Sequence, residues 1–148
     1  MHKYQSAALL LLLGYTAFLT YLMLFGFGRY PYTDYSYNLV PFATIRHFLN
    51  IDQFNTNTWV INLFGNIGVF IPFGILLPAA CLKQGLKAYG IFLIALIALE
   101  LAQLISKRGS LDIDDILLNS LGFLIGYLIY CAGRAYIFDK GAKRNDSN

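Results

Sequence analysis

The sequence predicts an all-α membrane protein: a bundle of four transmembrane helices with a short interfacial helix in the first loop. Three observations carry the prediction. Hydrophobic residues make up 57% of the chain and charged residues only 13%, about half the charge of ordinary soluble domains. A soluble domain of 148 residues buries only about 70% of its unfolded surface, too little to hide so much apolar area. Four stretches, about 6–27, 59–81, 88–105 and 113–132, are each long and apolar enough to cross about 30 Å of hydrocarbon. This composition excludes disorder, collagen, coiled coil and a disulfide scaffold. The net charge of +3 is too small to argue for nucleic acid. One transmembrane domain is expected over 1–138, followed by a polar, disordered cytoplasmic tail over 139–148.

The first span, Ser6 to Phe27, is free of charge and follows Met1-His2-Lys3. It is too long for a secretory signal core and no small-x-small site follows, so it reads as an uncleaved signal anchor. The loop after it carries four tyrosines in Arg29–Tyr37, a residue favoured at the membrane–water interface. Pro41 then opens an amphipathic stretch. Phe42, Ile45, Phe48 and Leu49 share one face, with Arg46, His47 and Asn50 opposite, as in a surface helix with Pro at its first position. That helix reads either as a membrane-resting linker or as part of a site, with His47 solvated. In span two, Gly65, Gly68, Pro72, Gly74 and Pro78 predict close packing or a kinked or broken helix at Pro72. In span four, Gly122-x-x-x-Gly126 predicts a close helix contact, within the chain or in a homo-oligomer.

Orientation follows from Lys and Arg in the connections. Seven of the basic residues (Lys3, Lys83, Lys87, Arg134, Lys140, Lys143, Arg144) fall on one side, and four (Arg29, Arg46, Lys107, Arg108) on the other. Both termini are therefore expected in the cytoplasm and the loops at 28–58 and 106–112 outside. Cys81 and Cys131 then lie at the inner ends of their spans, in a reducing compartment. They are expected to be small packing residues rather than a disulfide or metal pair.

The informative residues are the polar ones within the spans. Asn62 and Asn66 share a face of span two, and Glu100 and Gln103 a face of span three. Asp112, Asp115 and Asn119 follow i, i+3, i+7 spacing at the entry to span four. At about 1.5 Å rise per residue these groups reach one level in the outer half of the membrane. An acid there costs on the order of 2.5–3.5 kcal/mol, so Glu100 needs a partner or a proton. Arg108, just past span three, is the nearest partner in sequence; a protonated Glu100 bonded to Asn62 or Asn66 is the alternative. The whole set reads either as helix glue or as a site. Asp112, Asp114 and Asp115 likewise read two ways. They cap span four and complement its dipole, with Arg108 at the end of span three, or they hold a divalent cation beside a phosphate. In an enzyme, Glu100 and Asp115 are the catalytic candidates.

Asn38-Leu-Val-Pro41-Phe42, Asn62-x-x-Gly65-Asn66 and Phe70-Ile-Pro72-Phe-Gly74-x-x-Leu77-Pro78 resemble the first half of the VanZ-like membrane proteins. Glu100-x-x-Gln103, Arg108, Asp112-x-Asp114-Asp115 and Asn119-x-x-Gly122-x-x-x-Gly126 resemble the second. The resemblance covers about 38–127. It implies a bacterial cell-envelope setting, with a namesake associated with resistance to the glycopeptide teicoplanin, and no settled activity to transfer. The combined expectation is an outward-facing polar pocket in the cytoplasmic membrane. Its ligand residues are Asn62, Asn66, Glu100, Gln103, Arg108, Asp112, Asp115 and Asn119. Its ligand is a membrane lipid, a lipid-linked cell-wall precursor or another amphiphile, with no cofactor beyond a divalent cation. The alternatives are an enzyme acting on such a headgroup, and a structural or proton-coupled transport subunit.

Overall fold

The structure, a computed structural model, describes residues 2–26, 29–49, 56–80 and 85–145, with side chains over 4–26, 29–46, 63–80 and 85–137. The elements run α1 (His2–Phe25), β1 (Ser36–Asn38), α2 (Ala43–Leu49), α3 (Thr56–Ala80), α4 (Gly85–Ile105), β2 (Ser110–Asp112) and α5 (Ile113–Asn145). Among the described residues, α1, α3, α4 and α5 are long and apolar enough to cross a membrane, over Tyr4–Phe25, Leu63–Ala80, Gly85–Ile105 and Ile113–Ile137. The chain is a multi-pass, all-α membrane bundle. Large apolar residues such as Leu10, Ile94, Leu128 and Ile137 point away from its interior, as lipid-facing side chains do.

The bundle is organised by backbone proximity between α3 and α5. A Cβ added at Gly122 would run into the Ile67 carbonyl, one at Gly126 into the Ile71 carbonyl, and one at Gly74 into the Phe123 carbonyl. Membrane helices gain little from apolar burial against each other, so such close van der Waals packing is what draws them together. Gly122 and Gly126 thus make a close helix contact within the chain. Next to this contact Phe70, Phe92 and Phe123 join α3, α4 and α5. The rings of Phe92 and Phe123 stack at 4.6 Å, and Phe70 meets Phe92 edge-on at 5.8 Å. Tyr15 on α1 tilts against Phe73 at 5.4 Å and donates its hydroxyl to the Val69 carbonyl at 2.8 Å.

Several expectations are corrected. α3 is not broken at Pro72; it continues through both Pro72 and Pro78 to Ala80. Pro72 withdraws a donor from the Gly68 carbonyl, but a neighbouring helix can supply polar contacts at that level, and the Tyr15 hydroxyl does so one carbonyl further on. α5 runs past position 132 to Asn145, so the polar tail is helical there. Lys140, Ala142, Lys143 and Arg144 are good helix formers, and a nucleated helix extends at low cost. α2 begins at Ala43, not at Pro41; Phe42 takes φ 63° and forms its N-cap. Cys131 is exposed rather than packed, while Cys81 and the His47 side chain lie outside the described residues. A parallel pair of three-residue strands, not expected from the sequence, lies between the helices. Ser36, Tyr37 and Asn38 pair with Ser110, Leu111 and Asp112, tying the first loop to the α4–α5 connection.

Gly122→Val should force α3 and α5 apart, at a cost of about 1–3 kcal/mol or more. Membrane abundance and thermal stability should fall together. Gly133→Ala, where nothing lies within 4 Å of the added Cβ, should leave both unchanged.

Candidate functional site

At the end of the bundle that carries β1, α2 and β2, the helices part around a cavity of about 760 Å³. Its walls come from every membrane helix. Met23 lies on α1, Asn66 on α3, Glu100 and Gln103 on α4, and Asp115 and Asn119 on α5. Loop residues from Arg29 and Tyr32 to Ser36 complete the rim, with Gly109 and Ser110 opposite.

The polar groups are in unequal states. Asn66 Nδ2 donates to Asp115 Oδ1 at 2.6 Å. Gln103 Nε2 donates to the Met23 carbonyl at 3.1 Å, so its amide joins α4 to α1. Glu100 and Asn119 are each only 1% exposed. The Asp112 backbone N–H donates to the Glu100 carboxylate, yet among the described residues Glu100 Oε2 and Asn119 Oδ1 are buried without a hydrogen-bond partner. Buried polar atoms are nearly always satisfied in folded proteins, and leaving one unmade costs roughly 1–3 kcal/mol. Two such acceptors on the wall of one cavity mark a place where the fold leaves bonds for something else to complete.

The sequence pattern of the VanZ/LLP1 family matches residues 10–137. The chain belongs to the VanZ/LLP1 family. It is similar to Protein VanZ of Enterococcus faecium, with 28% identity over 150 residues, covering 97% of this chain and 84% of that one. No solved structure matches it.

In this VanZ/LLP1 chain the predicted site residues separate into two groups. Asn66, Glu100, Gln103, Asp115 and Asn119 meet around the cavity. Asn62 belongs to α3, but its side chain lies outside the described residues. Arg108 does not pair with Glu100. Its guanidinium donates to the carbonyls of Arg29 at 3.1 Å and Leu24 at 3.5 Å and stacks 4.8 Å over the Phe25 ring. Among the described residues, the cation that lines the cavity with Glu100 and Asp115 is Arg29, and its Nη1 donates to the Arg108 carbonyl at 3.1 Å. Arg29 was counted for topology only; its place beside a tyrosine-rich loop at a helix end was the available signal.

Asp112 and Asp114 are absorbed by the scaffold. Asp112 N-caps α5, accepting the Asp114 N–H at 2.8 Å. It also accepts the Thr44 hydroxyl at 2.6 Å and Asn38 Nδ2 at 3.3 Å. Asp114, wholly buried, reaches across to α2 and accepts the backbone N–H groups of Phe42, Thr44 and Ile45 at 2.6, 2.8 and 3.1 Å. It is the cap that Phe42, with no polar side chain, cannot supply. Of the three aspartates only Asp115 faces the cavity. Among the described residues no group of three or more His, Cys, Asp or Glu is arranged to hold a metal ion.

The end of α4 is a Schellman turn, with Arg108 N bonded to the Gln103 carbonyl and Lys107 N to the Leu104 carbonyl. The left-handed position, usually glycine, is Lys107 at φ 56°. Its side chain accounts for the choice: Nζ donates to the Thr33 carbonyl at 2.7 Å and sits 4.7 Å over the Tyr35 ring. The Lys107 carbonyl accepts the Tyr32 N–H at 2.8 Å, so this residue pins the rim loop.

Two outcomes follow from these assignments. Asp114→Ala leaves three part-buried amides without their acceptor and should destabilise the protein by about 3 kcal/mol, whereas Asp115→Asn should change thermal stability little. Lys107→Gly should be about 1 kcal/mol more stable than Lys107→Ala, because only glycine takes positive φ without cost. Thermal unfolding in detergent measures both.

Proposed function

We propose that this protein is a bacterial cytoplasmic-membrane protein whose polar cavity faces outward and binds the headgroup of a membrane lipid or other amphiphile, with a role in resistance to teicoplanin-type glycopeptides. The observation that carries the reading is the pair of unpartnered buried acceptors, Glu100 Oε2 and Asn119 Oδ1, on the wall of a cavity large enough for a headgroup. Helix glue has its bonds made, as Gln103 does with Met23. Glu100 and Asn119 have bonds left open. A second, apolar cavity of about 140 Å³ lies one to two helical turns further along α1, α3 and α4, lined by Thr20, Phe70, Phe92 and Leu96. It favours an amphiphile over a soluble ligand, since a tail has a place beneath a headgroup. The outward orientation rests on the basic-residue asymmetry of the connections, and the resistance setting on the family's namesake. Commitment of Asp112 and Asp114 to capping removes two of the three proposed cation ligands, which favours binding over metal-assisted catalysis.

Glu100→Gln distinguishes site from glue. It removes a charge without removing a bond that Oε2 makes, so thermal stability and membrane abundance should hold or rise. Any glycopeptide-resistance phenotype should fall to the level of the deletion strain. Parallel losses of abundance and phenotype would return Glu100 to a structural role. In a background with Cys81→Ala and Cys131→Ala, Thr33→Cys should react with an impermeant thiol reagent on intact cells and Ser147→Cys should not. The reverse pattern would place the cavity on the cytoplasmic side.

A further inference from the structure

We propose that the Glu100–Asp115–Asn119 wall of the cavity binds a primary ammonium group, so that the preferred headgroup is amine-bearing; this rests on the headgroup reading above. Among the described residues, the acidic and basic side chains lining the cavity are Arg29, Asp34, Glu100 and Asp115, one cation among three acids. The other nearby cations are turned to carbonyl oxygens, Lys107 to Thr33 and Arg108 to Leu24 and Arg29. Two carboxylates facing one cavity repel each other, and the cost of burying them falls when a positive charge joins them.

Hydrogen bonding points the same way. Both unpartnered atoms, Glu100 Oε2 and Asn119 Oδ1, are acceptors, so a donor is what the site lacks. Of the amide donors beside them, one N–H of Asn66 goes to Asp115 and one N–H of Gln103 to the Met23 carbonyl. A hydroxyl supplies a donor without charge. An ammonium supplies three donors and the missing positive charge together. Arg29, bonded through Nη1 to the Arg108 carbonyl, keeps further N–H donors for a phosphate on the same headgroup. The class that fits is a phosphoethanolamine-like zwitterion, with its amine toward α4 and α5 and its phosphate toward the first loop.

The test is lipid competition on the whole chain in nanodiscs containing equal phosphatidylethanolamine, N-acetyl-phosphatidylethanolamine and phosphatidylglycerol, with retained lipid counted by native mass spectrometry. Phosphatidylethanolamine should be enriched over both others by at least about tenfold, the discrimination of one charge-assisted hydrogen bond. The enrichment should fall several-fold in Asp115→Asn and in Glu100→Gln with helical content unchanged. Enrichment of phosphatidylglycerol or the N-acetylated lipid to the same degree would overturn the ammonium site and leave the headgroup reading standing. Retention of none of the three above the surrounding bilayer would overturn both. The wild-type comparison stands without the variants, so a variant that fails to fold does not decide it.

Discussion

The carboxylate of Asp114 sits where the first loop, α2 and α5 meet, and the architecture of the loop end depends on the backbone bonds it accepts. Those bonds cross from α5 to Phe42, Thr44 and Ile45, about seventy positions earlier in the chain. Without them α2 has no cap, since Phe42 offers no polar atom of its own. Asp112 extends the clamp through Thr44 and Asn38, and Asn38 is also the last residue of the paired strand. The rim of the cavity is thus hung from two neighbouring aspartates. Their charge is used by backbone and hydroxyl donors, and it is not available for chemistry.

The cavity obeys a different rule. Its acids and amides lie at the same level of the bundle as the clamp, yet two of its acceptors remain without donors. A scaffold selected only for stability fills such positions or replaces them with apolar residues, as α3, α4 and α5 do one to two turns away with Phe70, Phe92 and Phe123. The contrast between a saturated clamp and an unsaturated wall separates the residues that hold the fold from those that line the cavity.

Much of this was legible in the sequence, for reasons that can be named. Hydropathy exposes a span because lipid demands about twenty apolar residues, and helical spacing exposes a polar face because a bundle has one interior. Asn66, Glu100, Asp115 and Asn119 were found in that way. The helix-start position of Asp112 gives the capping role it has, whereas proximity in sequence pairs Arg108 with Glu100 but says nothing about which carbonyl a side chain reaches once a loop folds over it. Arg29 was overlooked for the same reason. Three-residue strands carry no detectable period, and a glycine pair reports a close contact without reporting its partner, so β1, β2 and the intrachain use of Gly122 needed coordinates.

The parallel pairing of Ser36–Asn38 with Ser110–Asp112 also has a consequence for biogenesis. A strand that pairs directly with a partner 74 residues later cannot find it until α3 and α4 have been made and threaded. At translation speeds of about 5–20 residues per second, the wait is on the order of several seconds. Through that interval Arg29, Asp34 and the tyrosines between them form a free loop at the membrane surface. α1 and α3 can pack early; the α3–α5 contact and the polar chamber are both completed only when the last span arrives.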